Sequence, residues 1–147
     1  MNQDRRTFLV GAAGLAVSSV PRVSRAPSAR SQDTGRTRLI LLGTKGGPRL
    51  SGAGRANPST LLIIGGTPLV VDCGYGTSRQ LLAAGVPLNT VRYVFITHHH
   101  SDHNLEFGPL LYNSWVTGSP MQVDAYGPPG LDHLTRSFFD SMKIEFD

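Results

Sequence analysis

The run Val91–Ile96 is apolar at five of its six positions, and it leads at once into Thr97-His98-His99-His100-Ser101-Asp102-His103. A short apolar run of this kind reads as a strand buried on both faces of a sheet. A rigid strand whose exit loop carries a burst of imidazoles and a carboxylate is a place where ligands are presented. Four of the five histidines of the chain lie in these six positions, 98 to 103. In extended backbone, residues i and i+2 project to the same side. His98 and His100 therefore converge on one point, and His99 turns away. Asp102 and His103 follow a bend and reach a second point beside the first. Imidazole and carboxylate are ligands for zinc, iron or manganese, so the spacing predicts two metal ions, one per pair.

The rest of the chain supplies alternating elements around this motif. Thr37–Leu42 reads as a buried strand ended by Gly43. Gly43 to Ser59 holds five glycines and two prolines, which makes a long loop of the functional kind. Thr60–Ile64 and Leu69–Val71 are strands joined by the turn Gly65-Gly66-Thr67-Pro68, and are most simply antiparallel. Thr77 and Gln80 have the spacing of a capping box, followed by a short helix over Gln80–Ala84 with Gly85 as its stop. Leu105–Trp115 reads as a helix, Met121–Tyr126 as a strand, and Gly130–Met142 as a final helix with Leu131, Leu134, Phe138 and Phe139 at helical spacing. Lys143–Phe146 looks like another strand beginning, so the text looks cut at Asp147. Alternation of this sort is an α/β layered sandwich, with a mixed sheet because of the early hairpin.

Composition bounds the partners. The chain has 147 residues, 39% of them hydrophobic, a single cysteine and a formal net charge of +4. One cysteine, Cys73, excludes an internal disulfide framework and a cysteine-rich zinc module. No apolar run approaches the roughly 20 residues of a membrane-spanning helix. The charge is localised: residues 1–30 hold five arginines against Asp4, and the nine basic and nine acidic residues that follow cancel. The basic excess therefore gives no support to a polyanion-binding surface on the folded part. That first segment has Arg5 and Arg6 followed by Phe8-Leu9, a mildly apolar stretch to Val20, and small residues around Ala26 and Ala29. It resembles a twin-arginine export signal, which predicts engagement of the export machinery and a bacterial periplasmic or secreted destination. Residues 31–36 read as a linker, and 37–147 as the folded part.

His98-x-His100-x-Asp102-His103 after an apolar strand resembles the signature of the metallo-β-lactamase fold superfamily. Leu42-Gly43-Thr44 with its glycine loop, Ser59 before a strand, Val71-Asp72-Cys73-Gly74 before a short helix, and Tyr126-Gly127-Pro128-Pro129-Gly130 resemble the branch of ribonuclease Z and the zinc-dependent arylsulfatases and phosphodiesterases. The resemblance covers about residues 37–147. It implies an αββα sandwich with a dinuclear site at one edge, here incomplete and amounting to its N-terminal half. It implies His98 and His100 as ligands of the first metal, and Asp102 and His103 as ligands of the second. The metals are expected to be two divalent ions, zinc first, with manganese or iron as alternatives. Asp102 is expected to serve catalysis by orienting the attacking water, and Asp72 to support the site without binding metal. The family's remaining ligands have no match after His103. The sole later histidine, His133, fits a surface helix position.

The function expected from this reading is metal-dependent hydrolysis of small anionic esters, arylsulfatase-like or phosphodiesterase-like. The neutral mature segment and the leader carry that preference. Lys45, Arg49 and Arg55 in the glycine loop stand ready for an anion or are simply solvated. A ribonuclease Z-like tRNA processing nuclease is the first alternative, and a metal-binding remnant without activity is the second.

Overall fold

A computed structural model describes residues 35–50 and 54–143. The export signal with Arg5 and Arg6, most of the linker and the strand expected from Lys143 onward lie outside the described residues, apart from Lys143 itself. The strands are β1 (Arg38–Gly43), β2 (Ser59–Ile64), β3 (Thr67–Val71), β4 (Tyr93–Phe95) and β5 (Asp124–Tyr126). They form one sheet in the order β1-β2-β3-β4-β5. The first three are antiparallel neighbours, while β3–β4 and β4–β5 are parallel. The helices are α1 (Thr77–Ala83), α2 (Ser101–Asn104), α3 (Phe107–Val116) and α4 (Leu131–Met142), with a 3₁₀ turn at Leu88–Thr90. This is the mixed sheet with helices that the sequence predicts, and among the described residues it is a single sheet.

The β2–β3 turn needs glycine twice. Gly65 and Gly66 have φ of 56° and 81°, the two positive values that a two-residue type I′ hairpin requires. The turn sets the register Leu61↔Val70. That row continues to Val94 on β4 and Ala125 on β5. Leu61, Val70 and Val94 are fully buried, and they pack in one cluster with Leu81 of α1, Phe107 and Leu110 of α3, and Leu131 of α4. Burying each such side chain stabilises by roughly 1.5–3 kcal/mol. Val94→Asp would put an unpaired carboxylate at the centre of the cluster.

Several expectations need correction. The strand from Thr37 to Leu42 is not buried throughout: it is the sheet edge, and Leu39 and Leu41 are each 63% exposed while Leu42 is buried. Val91–Ile96 is not buried on both faces; Val94 and Ile96 face the helices, and Tyr93 and Phe95 on the other face are half-buried. Thr77 does not cap α1. Gly76 holds that position with φ 97°, and the Thr77 hydroxyl donates back to the Gly74 carbonyl at 2.7 Å. Gly85 ends α1, its N–H donating to the Leu82 carbonyl. The helix predicted over Leu105–Trp115 is α3, which starts at Phe107, and a separate one-turn helix, α2, precedes it within the histidine segment; the inner face of α3 is Phe107, Leu110 and Ser114, with Leu105 and Trp115 exposed.

The topology collects loops on one sheet edge. β3, β4 and β5 are mutually parallel, so their C-terminal ends lie side by side. β2 runs against β3, and Gly43 pairs with Ser59, so the β1–β2 loop opens on the same edge. The described parts of the β1–β2 loop (43–50 and 54–59) and the segments 72–76, 97–103 and 127–130 thereby meet outside the ends of the parallel strands, where open α/β sheets place ligands.

Candidate metal centre

Asp72 sits one residue past β3, level with the end of β4. Its N–H donates to the Phe95 carbonyl at 2.8 Å. Its φ is 62°, the left-handed region that costs a residue with a side chain, though aspartate less than most. That backbone turns the carboxylate toward the histidine loop. Oδ1 accepts the Thr97 N–H at 2.8 Å, and both oxygens lie 3.0 Å from the Thr97 hydroxyl. Oδ2 also accepts from His103 Nδ1 at 2.7 Å.

These bonds fix proton positions. A carboxylate only accepts, so His103 carries its proton on Nδ1 and leaves an electron pair on Nε2. The single hydroxyl proton of Thr97 goes to Asp72. Thr97 Oγ1 then accepts from His98 Nδ1 at 2.9 Å, which leaves His98 an electron pair on Nε2 as well. That Nε2 faces Nδ1 of His100 at 3.1 Å. His103 Nε2 faces Oδ2 of Asp102 at 3.7 Å. The rings of His98 and His103 have centroids 4.1 Å apart, so the two pairs adjoin.

A pair of electron-rich atoms held face to face is suited to sharing a cation. Two tetrahedral ligand atoms about 2.0–2.1 Å from one zinc ion stand about 3.3 Å apart. The His98–His100 pair matches that span, and the Asp102–His103 pair is a few tenths of an ångström wider. The donor chemistry fits a divalent metal, with two donors per pair. Among the described residues, no group of three or more His, Cys, Asp or Glu side chains is placed to close around one ion.

The other singled-out residues fall as follows. His99 points away from both pairs: its Nε2 donates to the Pro129 carbonyl at 3.0 Å, and its Nδ1 accepts from Asn104 Nδ2 at 3.3 Å. His133 is exposed on α4. Cys73 is fully buried; burial, then the neighbouring Asp72 and Glu106 carboxylates, push its thiol far above its ordinary range. Glu106 is itself raised by burial, opposed by the backbone N–H groups of Ser78, Thr77 and Gly76 at the start of α1.

The glycine loop lies over the pairs. Gly47 N–H donates to Asp102 Oδ2 at 2.8 Å. Gly47 and Pro48 join His100, Ser101 and Asp102 around a cleft of about 380 Å³. On the far side of the loop, Lys45, Arg55 and Arg79 line a cleft of about 670 Å³ with Tyr75 and Glu106. Asn57 and Thr97 were not singled out by sequence reasoning. Thr97 stood beside the motif, and a hydroxyl next to a ligand histidine was the available signal. Asn57 gave none: an asparagine before a proline reads as an ordinary loop residue.

The metallo-beta-lactamase superfamily model matches residues 53–143. Over 94 residues the chain is 45% identical to ribonuclease Z of Mycobacterium sp. (strain KMS), an alignment covering 63% of this chain and 32% of the relative. Over 107 residues it is 42% identical to ribonuclease Z of Mycobacterium marinum, covering 68% of this chain and 38% of the relative. The chain thus spans about a third of the length of these relatives. Among solved structures, the short form of human tRNase Z superposes with a TM-score of 0.62 at 27% identity, over 76% of this chain and 40% of that one. The metallo-beta-lactamase fold protein YhfI of Bacillus subtilis gives 0.59 at 28% identity, over 69% and 40%.

Proposed function

This chain belongs to the metallo-beta-lactamase superfamily, and from that premise we propose that it serves metal-dependent phosphodiester hydrolysis on RNA, in the manner of the ribonuclease Z proteins it resembles. The observation that carries the reading is the pair of donor sets, His98 with His100 and Asp102 with His103, inside the matched segment; a separate cleft bordered by the same glycine loop carries Lys45, Arg55 and Arg79. This departs from the small anionic ester favoured by sequence alone. That preference rests on the leader and on the neutral charge of the segment after residue 30, a sum that says nothing of where its charges lie. The local arrangement of Lys45, Arg55 and Arg79 is what a phosphate chain would meet.

In this reading His98 Nε2 and His100 Nδ1 would hold one divalent ion, and Asp102 Oδ2 with His103 Nε2 would hold the other, with zinc ahead of manganese or iron. When bound, the ions supply Lewis acidity to water and to the phosphoryl group. Asp72 keeps His103 in one tautomer directly and His98 through Thr97, so both offer Nε2. Asp102 positions the attacking water by accepting its hydrogen bond. The glycine loop closes over Asp102 and limits solvent there.

The test offers three substrates to the protein with added Zn²⁺ or Mn²⁺: a precursor tRNA with a 3′ trailer, bis-p-nitrophenyl phosphate and p-nitrophenyl sulfate. Endonucleolytic release of the trailer is expected. His98→Ala and His100→Ala should each lower turnover by at least about 100-fold and remove one ion per chain by elemental analysis. Turnover of the sulfate without RNA cleavage would return the assignment to a small-ester hydrolase, and undiminished activity in both variants would refute the ligand assignment.

A further inference from the structure

We infer that Asn57 is a positioning residue for Asp102, acting through the glycine loop without touching the metal-facing atoms. The inference rests on the reading of Asp102 as a metal ligand. Asn57 is only 1% exposed. Its side-chain amide donates to the Lys45 carbonyl at 3.1 Å and to the Gly47 carbonyl at 2.9 Å, which uses both of its protons. Its backbone N–H donates to the Tyr75 carbonyl at 3.0 Å.

The walls around Asn57 leave it no room to move. A Cβ on Gly43 would lie 1.8 Å from the Asn57 carbonyl oxygen. A Cβ on Gly74 would lie 2.5 Å from the Asn57 Cβ and 2.1 Å from the Asp102 carbonyl oxygen. The end of β1 and the turn after β3 therefore close on this one asparagine, and the same turn abuts the start of α2. From that fixed point it grips the carbonyl of Gly47, whose own N–H reaches Asp102 Oδ2 at 2.8 Å. Gly46-Gly47 would otherwise be the freest stretch of the loop. With the carbonyl held and φ at 82°, the N–H has one direction, and Asp102 is buried beneath it. Asn57 thereby selects the carboxylate orientation that faces His103 Nε2.

The experiment compares the full chain with Asn57→Asp, which keeps the shape and replaces two donors by acceptors aimed at carbonyls. Hydrogen exchange at the Gly47 amide, read by NMR, is expected to quicken about tenfold in Asn57→Asp, and likewise in Asp102→Ala, which removes the acceptor. Co²⁺ affinity is expected to fall about tenfold, with a changed visible spectrum of the bound ion. An equally protected Gly47 amide, or faster exchange with Co²⁺ affinity and spectrum unchanged, overturns the inference. If Asn57→Asp does not fold by circular dichroism, Gly47→Ala takes its place, because its Cβ meets nothing within 4 Å while its φ forces the same N–H to move. Unchanged exchange and spectrum there also overturn it. If the wild-type chain takes up no Co²⁺, the metal reading of Asp102 fails. Gly47 exchange in Asn57→Asp then decides by itself, quickening in support and unchanged protection against.

Discussion

Asp72 carries more of the site than any other single side chain. Among the described residues it is the one non-glycine with positive φ, and that backbone lets one carboxylate serve Thr97 and His103 together. Asp72→Ala should cost about 2–4 kcal/mol, since hydrogen bonds to a charged, buried acceptor are among the stronger ones. Urea unfolding measures this, and an unchanged midpoint would remove Asp72 from its place at the centre of the network. His99 is the contrasting case. It bonds Pro129 and Asn104 on the side away from both donor pairs. His99→Leu should lower stability by about 1 kcal/mol or less and leave metal content intact. Loss of metal in that variant would mean that the imidazoles are paired differently. Asp72 is legible as a supporting residue only through the family resemblance, because an aspartate after a strand by itself reads as a turn residue. Its left-handed backbone and its reach to Thr97 depend on β3 and β4 lying parallel, which local sequence does not encode.

The elements show where local signals competed with packing. The hairpin and its two glycines were readable because a turn is decided by φ over two residues. The capping box was not, since Gly76 took the cap and Thr77 turned its hydroxyl back to Gly74. The start of α1 is instead served from a distance by Glu106, whose carboxylate accepts the Ser78 N–H at 3.3 Å. This contact has a pH signature. Burial raises the Glu106 carboxyl, so the folded state binds that proton more tightly than the unfolded chain. Stability from this group is then fully present below the ordinary glutamate value of about 4.3 and is lost as pH rises through the folded-state value. Glu106→Gln does not titrate, so its stability relative to wild type should rise with pH across that window. Denaturant melts from pH 4 to pH 7 measure the difference, and a flat one would show that the α1 N–H groups fully offset burial.

On the scale of the whole molecule, the sheet has two unlike faces. Ile40, Leu61, Val70 and Val94 form a row under the helices. On the other face Leu39 and Leu41 are largely exposed, and Phe95 stacks on Tyr126 with ring centroids 5.1 Å apart. The chain spans about a third of its ribonuclease Z relatives, so the activity proposed here is that of the whole protein. Export belongs to this scale too. We propose that the first thirty residues direct the chain to the periplasm or beyond, where it would meet RNA outside the cytoplasm, the precursor tRNA serving as a probe of RNA phosphodiester cleavage. Arg5→Lys with Arg6→Lys should keep the precursor inside the cell, as fractionation and immunoblotting would show; unchanged export would refute the leader.

Local sequence was enough to read the order of strands and helices and the chemical type of the donors. Apolar periodicity, paired glycines and a run of imidazoles act over distances of a few residues. Which atoms face each other follows from the folded arrangement. The electron pairs left on His98 and His103 follow from a carboxylate 26 and 31 residues away in the chain, at the end of a parallel neighbour strand. The grip of Asn57 on Gly47, and through it on Asp102, joins segments 10 and 55 residues apart. Contacts of that separation are set by strand order and loop closure, quantities that belong to the folded chain as a whole.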